Sequence, residues 1–510
     1  MTKKHLLPVV LLAALLGCAV APKTTEAQDI AAKAPIDRRQ IVAISDLHLG
    51  LGKTAQGSWD PREDFRWTIA LREFLEATRK SGADKVDLVI AGDFLELWQP
   101  PDDVHCDGAK DAACSVAAMK QIVRHVVSQH FDDLKLLGDF AKRGDNRLIV
   151  IPGNHDAALL VPELWAEVAG ALDAQSGRVT LVSKGIWASL DGQVVIEHGH
   201  QIGADVNSFS GWPKVTKEMG GTQFLQSPWG ERFVQDLFNT EEKRYPIIDN
   251  LSPESYGARL RLADRGLWRS AADMARFVAF NLFETSVSQK AQSLGKEGKA
   301  GEPCTHEEAK ALGYRIFASA LPADDPFRQE LEGTSEQAQA LQTQLNELAG
   351  TLSEEELAQI CRQRSSSQDL GGLLEATFVA RQDVLRKHAE RRLSKYPNMK
   401  VFVYAHTHQL EEAWSLRLGL GSSITVLNTG AFQRLVDEAS YKRRLKGRNI
   451  TKPSDGLAQI PLEALAPCYS YVDVQPGTSA TRPQADTKVW RMDERDVAGD
   501  VLSPRDKACQ

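Results

Sequence analysis

Ile41-Val42-Ala43-Ile44-Ser45-Asp46-Leu47-His48 decides the fold: a short apolar, β-branched run ends at once in two metal-type side chains. The arrangement recurs along the chain. Val86-Asp87-Leu88-Val89-Ile90 leads to Gly92-Asp93, and Leu148-Ile149-Val150-Ile151 leads to Gly153-Asn154-His155-Asp156. Val194-Val195-Ile196 ends at His198-Gly199-His200, and Val401-Phe402-Val403-Tyr404 ends at His406-Thr407-His408. Runs of this kind, bounded by turn residues, read as buried strands. Helical stripes separate the first ones. Trp67, Ala70, Leu71, Phe74, Leu75 and Thr78 share a face ahead of a stop at Gly82. Ser115 can cap a second helix carrying Met119, Ile122, Val123, Val126 and Val127, which is expected to run to the region of Gly144. Strand alternating with helix predicts an α/β fold, in which ligands gather at the carboxyl ends of strands. The five motifs are therefore expected to converge.

The chain has 510 residues, 42% hydrophobic and 25% charged, which excludes a mainly disordered or collagen-like polymer. Its net charge of −7 argues against a stable nucleic-acid partner. Lys3, Lys4 and His5 precede an apolar run, Leu6 to Leu16, that is too short to span a bilayer and has the layout of a secretory signal. It ends in Leu15-Leu16-Gly17-Cys18, which resembles a bacterial lipobox. The expectation is a signal peptide over 1–17, a lipid on Cys18 as membrane anchor, and a polar tether to residue 39. With Ala19 after the cysteine, the destination is the cell envelope, as an outer-membrane lipoprotein facing the periplasm or the surface. Cleavage after Ala21 competes with this reading, although Pro22 would follow the cut. The six remaining cysteines suit disulfides in an exported chain, with Cys106–Cys114 the shortest pairing and nearest neighbours joined elsewhere.

The domain reading follows. Residues 40–205 and 398–475 form the two parts of the α/β domain. Residues 206–397 break the rhythm and read as a helical insertion, with long candidates at Arg269–Leu294 and Phe327–Arg364. Leu341, Leu345, Leu348 and Leu352 read as ordinary helix packing rather than a partner-binding coiled coil. Residues 476–510 read as a polar C-terminal extension with one strand-like patch at Val489-Trp490 and no assigned function. His105, His125 and His130 read as structural. His200 reads as a neighbour of the ligands or a solvated loop residue.

Asp46, His48, Asp93, Asn154, His198, His406 and His408 make a mixed oxygen and nitrogen donor set. That is enough for two divalent cations sharing one carboxylate, which screens their mutual repulsion. Manganese, iron and zinc all accept such donors. The ordered blocks D-x-H, G-D, G-N-H-[DE], H-G and G-H-x-H resemble the calcineurin-like metallophosphoesterase superfamily over roughly residues 40–205 and 398–430. Ala405 stands where that family usually has Gly. The resemblance implies a four-layer α/β/β/α sandwich, here with a large helical insertion. It implies Asp46, His48 and His408 on a first metal, Asp93 bridging, and Asn154, His198 and His406 on a second. His155 would stabilise the phosphoryl oxygens or protonate the leaving oxygen, and Glu96 would orient His155.

The implied activity is hydrolysis of a phosphoester by a metal-bridging hydroxide, as a phosphodiesterase or phosphatase. The substrate would be a phosphorylated small molecule, nucleotide or lipid. Asp46-Leu47-His48-Leu49 and Gly92-Asp93-Phe94-Leu95-Glu96-Leu97-Trp98, with Asp102-Asp103 after it, resemble the branch containing UDP-2,3-diacylglucosamine diphosphatase. The fourth block departs from that branch, reading His-Gly-His instead of His-Gly-Asp, and the insertion is much longer. Nucleotide-sugar or lipid diphosphatase activity is therefore the second enzymatic reading. A reading of another class is a non-catalytic scaffold lipoprotein that binds a partner through the insertion.

Overall fold

The computed structural model describes residues 39–106, 112–174, 177–203, 207–228 and 370–509, the last apart from 449, 451, 453, 478–480, 494 and 497. Between 229 and 346 it describes separate pieces, the longest being 239–252 and 326–336. The expected leader and tether lie outside the described residues.

The first part of the chain supplies β1 (Gln40–Ile44), β2 (Val86–Ala91), β3 (Ala112–Ser115), β4 (Arg147–Ile151), β5 (Val179–Leu181), β6 (Ile186–Ala188) and β7 (Val194–Glu197). A hairpin of β8 (Thr216–Met219) and β9 (Thr222–Gln226) follows, then the short β10 (Leu251–Ser252). The last part supplies β11 (Val401–Tyr404), β12 (Leu410–Arg417), β13 (Ser423–Thr429), β14 (Val436–Asp437), β15 (Cys468–Gln475), β16 (Gln484–Arg491) and β17 (Asp500–Leu502). One sheet has the order β17-β16-β15-β1-β2-β4-β5, a second β12-β13-β11-β7-β6. Within the first, β1, β2, β4 and β5 are parallel; within the second, β7, β11 and β13 are parallel. This is a mixed α/β protein.

The unbroken apolar runs have a physical reason. On β1, Ile41 and Ala43 belong to a core formed with Val89, Ile149, Ile196 and Val403, so residues of the two sheets pack together. Val42 and Ile44 belong instead to a core with Leu71, Phe74, Ile122 and Leu164 of the helices. Strands buried on both faces lose the alternation of a half-solvated strand. The helices are α1 (Thr68–Ser81), α2 (Val116–Gln129), α3 (Phe131–Lys142) and α4 (Pro162–Ala171). The stripe expected from Ala70 to Thr78 is the buried face of α1, and the Gly82 N–H closes that helix on Thr78 O at 3.1 Å. Ser115 caps α2, its hydroxyl accepting from the Ala118 N–H at 3.2 Å.

The helix expected to run on to Gly144 instead breaks at His130 into α2 and α3. The imidazole fills the break. Its Nδ1 faces Asp133 Oδ2 at 3.0 Å and its Nε2 faces Glu63 Oε2 at 3.2 Å, all buried. Two acceptor oxygens on one ring call for an imidazolium. Burial works against the charge, but Glu63 and Asp133 win and raise the His130 pKa to about 9. Since the folded value lies above the ordinary one, the stabilisation is fully present below about pH 6.5 and is lost as pH rises through about 9. Chemical denaturation should show His130→Gln less stable than wild type by about 3 kcal/mol near pH 6, the gap closing by pH 10. A gap that does not change with pH would assign His130 a packing role only.

Two expectations about the later chain need correction. Residues 216–226 of the insertion form the β8–β9 hairpin, which pairs with β3 in a three-stranded sheet, so this part is not helical. Its alternation of polar with half-buried residues suits a strand pair and was masked by neighbouring helix formers. The candidate from Phe327 is interrupted by a turn at 332–335, between the helix Pro326–Leu331 and further helical residues at 336, 338–339, 342–343 and 346. Arg269–Leu294 and the leucines at 341, 345, 348 and 352 lie outside the described residues. The helix Leu370–Lys395 does pack: Leu385 and Ala389 join Val195, Phe402, Tyr404 and Val426.

The stretch after 475 is no separate extension either. β16 pairs with β15 along its whole length, and β17 continues the same sheet. Trp490 is buried on α1, its Nε1–H donating to Ala70 O at 3.1 Å. Cysteine pairs 106–114 and 468–509 are joined, whereas Cys304 and Cys361 lie outside the described residues. No described helix is long and apolar enough to cross a membrane.

Candidate metal centre

Parallel register sets the five motifs level. Ile44 pairs with Ile90, Ala91 with Ile151, and Ile196 with Val403, so β1, β2, β4, β7 and β11 release their polar residues at neighbouring ends. The Asp46 N–H bonds Gly92 O at 3.1 Å, and the Ala405 N–H bonds His198 O at 2.7 Å. Tight turns follow. Asp46, His48, Asp93, His406 and His408 all have positive φ, between 46° and 76°. Asp and His tolerate the left-handed region better than most residues, and such strain concentrates at functional sites.

Two glycines of the motifs are required by contact. A Cβ on Gly153 would lie 2.2 Å from Asp93 Oδ1, and one on Gly92 would lie 2.2 Å from the His198 ring. Ala405, in contrast, is not among the positive-φ residues, so its methyl is tolerated where the family pattern has Gly.

Among the described residues, three groups of donor atoms, each within 4.8 Å of one another, could hold metal: Asp46, His48 and His408; Asp93, His198 and His406; and His48, Glu96 and His155. His408 Nε2 lies 3.4 Å from Asp46 Oδ1. Asp93 stands between the first two groups: Oδ2 is 3.0 Å from His198 Nε2 and 4.0 Å from His48 Nε2. Asn154 Oδ1 meets the same His198 Nε2 at 2.9 Å. All seven sequence-derived ligands are thus brought together.

The donor set fits divalent cations. The His198 Nδ1–H donates to Ala91 O at 2.9 Å, which leaves Nε2 aimed at two oxygens, Asn154 Oδ1 and Asp93 Oδ2, that are themselves acceptors. Three electron-pair donors around one point call for a positive charge. Asp46 Oδ1 and His48 Nε2 are buried without a hydrogen-bond partner, facing the same region. Such orphaned atoms are costly unless something cationic satisfies them. Protons do so in the cation-free protein. Burial would depress His198, but Asp93 raises it to about 9; burial would depress His48, but Glu96 and Asp93 push it well above its usual value. Burial would raise Asp93, but His198 and His155 hold it well below the carboxylate range. Entering cations must displace those protons, so occupancy falls as pH drops.

Beside the ligands, Glu96 holds two histidines with one oxygen. Glu96 Oε2 is 2.9 Å from His48 Nδ1 and 2.5 Å from His155 Nδ1. Burial would raise Glu96, but these imidazoles bring it down to about 2. The His155 N–H also donates to Asp93 Oδ1 at 2.9 Å, which ties this turn to the shared carboxylate.

Three further residues support the site. Asp156 accepts from the N–H groups of Phe94, Leu95 and Gly153, locking the Asp93 loop against the Asn154 turn. Asn428 donates to Ala405 O and Thr407 Oγ1, each at 3.1 Å, bracing the His406–His408 turn; the Asn-Thr-Gly ending of β13 was its visible signal. Trp98 stacks on His155 with ring centroids 3.9 Å apart; it ends the Gly92–Trp98 stretch quoted for the branch resemblance, which gave it no role. His200 is buried rather than solvated, against Phe209 and Trp212, and belongs to none of the three donor groups.

Strand ends of an α/β core that carry clustered histidines and carboxylates define a metal-binding hydrolytic class of site. Residues 39–274 match the family model for calcineurin-like phosphoesterases. Proteins of that family are metal-dependent phosphoesterases, and the match supports an enzyme acting on phosphoester bonds. His406 and His408 lie beyond the matched stretch and join the site through the fold. No curated protein matches the chain.

Proposed function

We propose that the chain hydrolyses a phosphoester of a small molecule at a centre of two divalent cations, manganese, iron or zinc. Asp46, His48 and His408 would hold one cation, and Asn154, His198 and His406 the other, with Asp93 shared. The observation that carries this is the convergence of seven donors from five strand ends beside the Glu96–His155 pair. When bound, the cations would supply Lewis acidity and bring the pKa of water towards neutrality.

The chain's own residues supply the rest. With Nδ1 fixed on Glu96, His155 has Nε2 left for a phosphoryl or leaving oxygen, and the ring is the least buried of the site histidines joined to Glu96. A proton from that nitrogen would neutralise the departing alkoxide. The short bond to the Glu96 carboxylate holds the Nδ1 end of the ring. The insertion borders the site through Phe209 and Trp212 at His200, and through the Asn239–Glu242 segment at Trp98 and Gln99.

The finer fold reading, a four-layer α/β/β/α sandwich, belongs to this proposal, supported by the helix Leu370–Lys395 lying against β7 and β11. The likeness to the UDP-2,3-diacylglucosamine diphosphatase branch enters as a fold relation, with no substrate carried over. Export to the envelope, with a lipid on Cys18, is proposed from the Lys3–Cys18 pattern; two disulfides suit an oxidising compartment.

The test is metal analysis joined to turnover of p-nitrophenyl phosphate and bis(p-nitrophenyl) phosphate. The expected result is bound transition metal and hydrolysis well above an Asp93→Asn, His155→Ala double variant. Absence of metal together with turnover no better than the double variant would overturn the proposal.

A further inference from the structure

We infer that Trp98 is a positioning residue for the proton-donating His155, and that the insertion segment Asn239–Glu242 holds Trp98 in place. This rests on the role proposed for His155.

One hydrogen bond, from Nδ1 to Glu96, cannot fix an imidazole: the ring still tilts about the bond, and its Nε2 sweeps an arc. Two ring contacts remove that freedom. The indole of Trp98 lies on the His155 face at 3.9 Å with an interplanar angle of 28°, and His48 meets His155 edge-on at 4.6 Å. The backbone N–H of Trp98 donates to the partner carboxylate, at Glu96 Oε1, at 2.7 Å. One buried residue thereby constrains both members of the Glu96–His155 pair.

Trp98 is clipped in turn from the insertion. The Asn239 side-chain amide donates to Trp98 O at 3.0 Å, and the Gln99 amide donates to Glu242 Oε2 at 2.7 Å. The path from the insertion to the reacting atoms is therefore short: Asn239 and Glu242, then Trp98 and Gln99, then Glu96 and His155. Misplacing a reacting group by about 1 Å can cost a hundredfold in rate, so small tilts of this ring matter.

Proton donation to the leaving oxygen gives the test its signature. An ethyl ester needs that proton and a p-nitrophenyl ester hardly does. Both esters are offered, each as a monoester and as a methyl diester, to wild type, Trp98→Ala, Trp98→Phe, Asn239→Ala and His155→Ala. Trp98→Ala should lower kcat on the ethyl ester about tenfold, with KM and the p-nitrophenyl rate within about twofold of wild type. Trp98→Phe should restore most of the loss, and Asn239→Ala should show the same split, smaller. Equal losses on both esters, no loss, or failure of Phe to restore would overturn the inference while the split in His155→Ala persists. If His155→Ala itself shows no split, the proton-donor role and this inference fall together.

Discussion

Asp93→Asn is expected to lower turnover of either p-nitrophenyl ester by about a thousandfold, some 4 kcal/mol in activation free energy, and to reduce bound metal. The size follows from how many tasks this one carboxylate performs. Its Oδ2 faces the second group at His198 and reaches towards the first at His48, while its Oδ1 anchors the His155 backbone. An amide keeps the shape and loses the charge. Its nitrogen would also present hydrogens where His198 Nε2 and Asn154 Oδ1 already offer electron pairs to a cation. The loss should not be repaired by raising the metal concentration to saturation, because a neutral side chain cannot screen two adjacent cations as a shared carboxylate does. Metal content by mass spectrometry and kcat over a metal titration check both parts, with a thermal melt as control for folding. Full metal content with wild-type turnover would remove Asp93 from the centre.

Much of this centre was legible because its chemistry and its fold write the same signal. Strands buried on both faces give continuous apolar runs, and a metal ligand at a strand end follows within two or three residues, as in Ile44 to Asp46 and Ile151 to Asn154. The glycines were readable for the same reason, since Gly92 and Gly153 stand where another residue's atoms leave no room. Support from a distance leaves less of a trace: Asp156 closes the Gly-Asn-His-Asp block, yet the block does not declare what it braces. Asn428 and Asp156 act through backbone hydrogen bonds that depend on loop shape, and an Asn or Asp in a turn has many bland reasons to be there. Of β16 only the patch at Val489-Trp490 was legible, because a strand with one wet face reads as polar chain until its buried positions, Ala485 among them, are seen to pack. The insertion was read as helical because composition dominates over long windows, and a two-strand hairpin of short polar runs does not shift it.

His155→Ala should produce the second largest loss, and its pattern matters more than its size. On an ethyl phosphate ester the loss should reach about a hundredfold or more, the usual contribution of a placed general acid. On the p-nitrophenyl ester it should be smaller, because that leaving group departs without a proton. Glu96→Gln should follow the same order at reduced amplitude, about 10- to 100-fold, with a difference that tells the two apart. Gln keeps an oxygen for one imidazole but cannot accept from both His48 and His155 with the strength of a carboxylate. Metal content should therefore drop with Glu96→Gln through His48 and stay unchanged with His155→Ala, which is no ligand. Measuring kcat on both esters alongside bound metal for the two variants separates these roles. Equal losses on both esters in His155→Ala, or metal lost with it, would recast this histidine as a ligand and leave the departing oxygen without an identified proton donor.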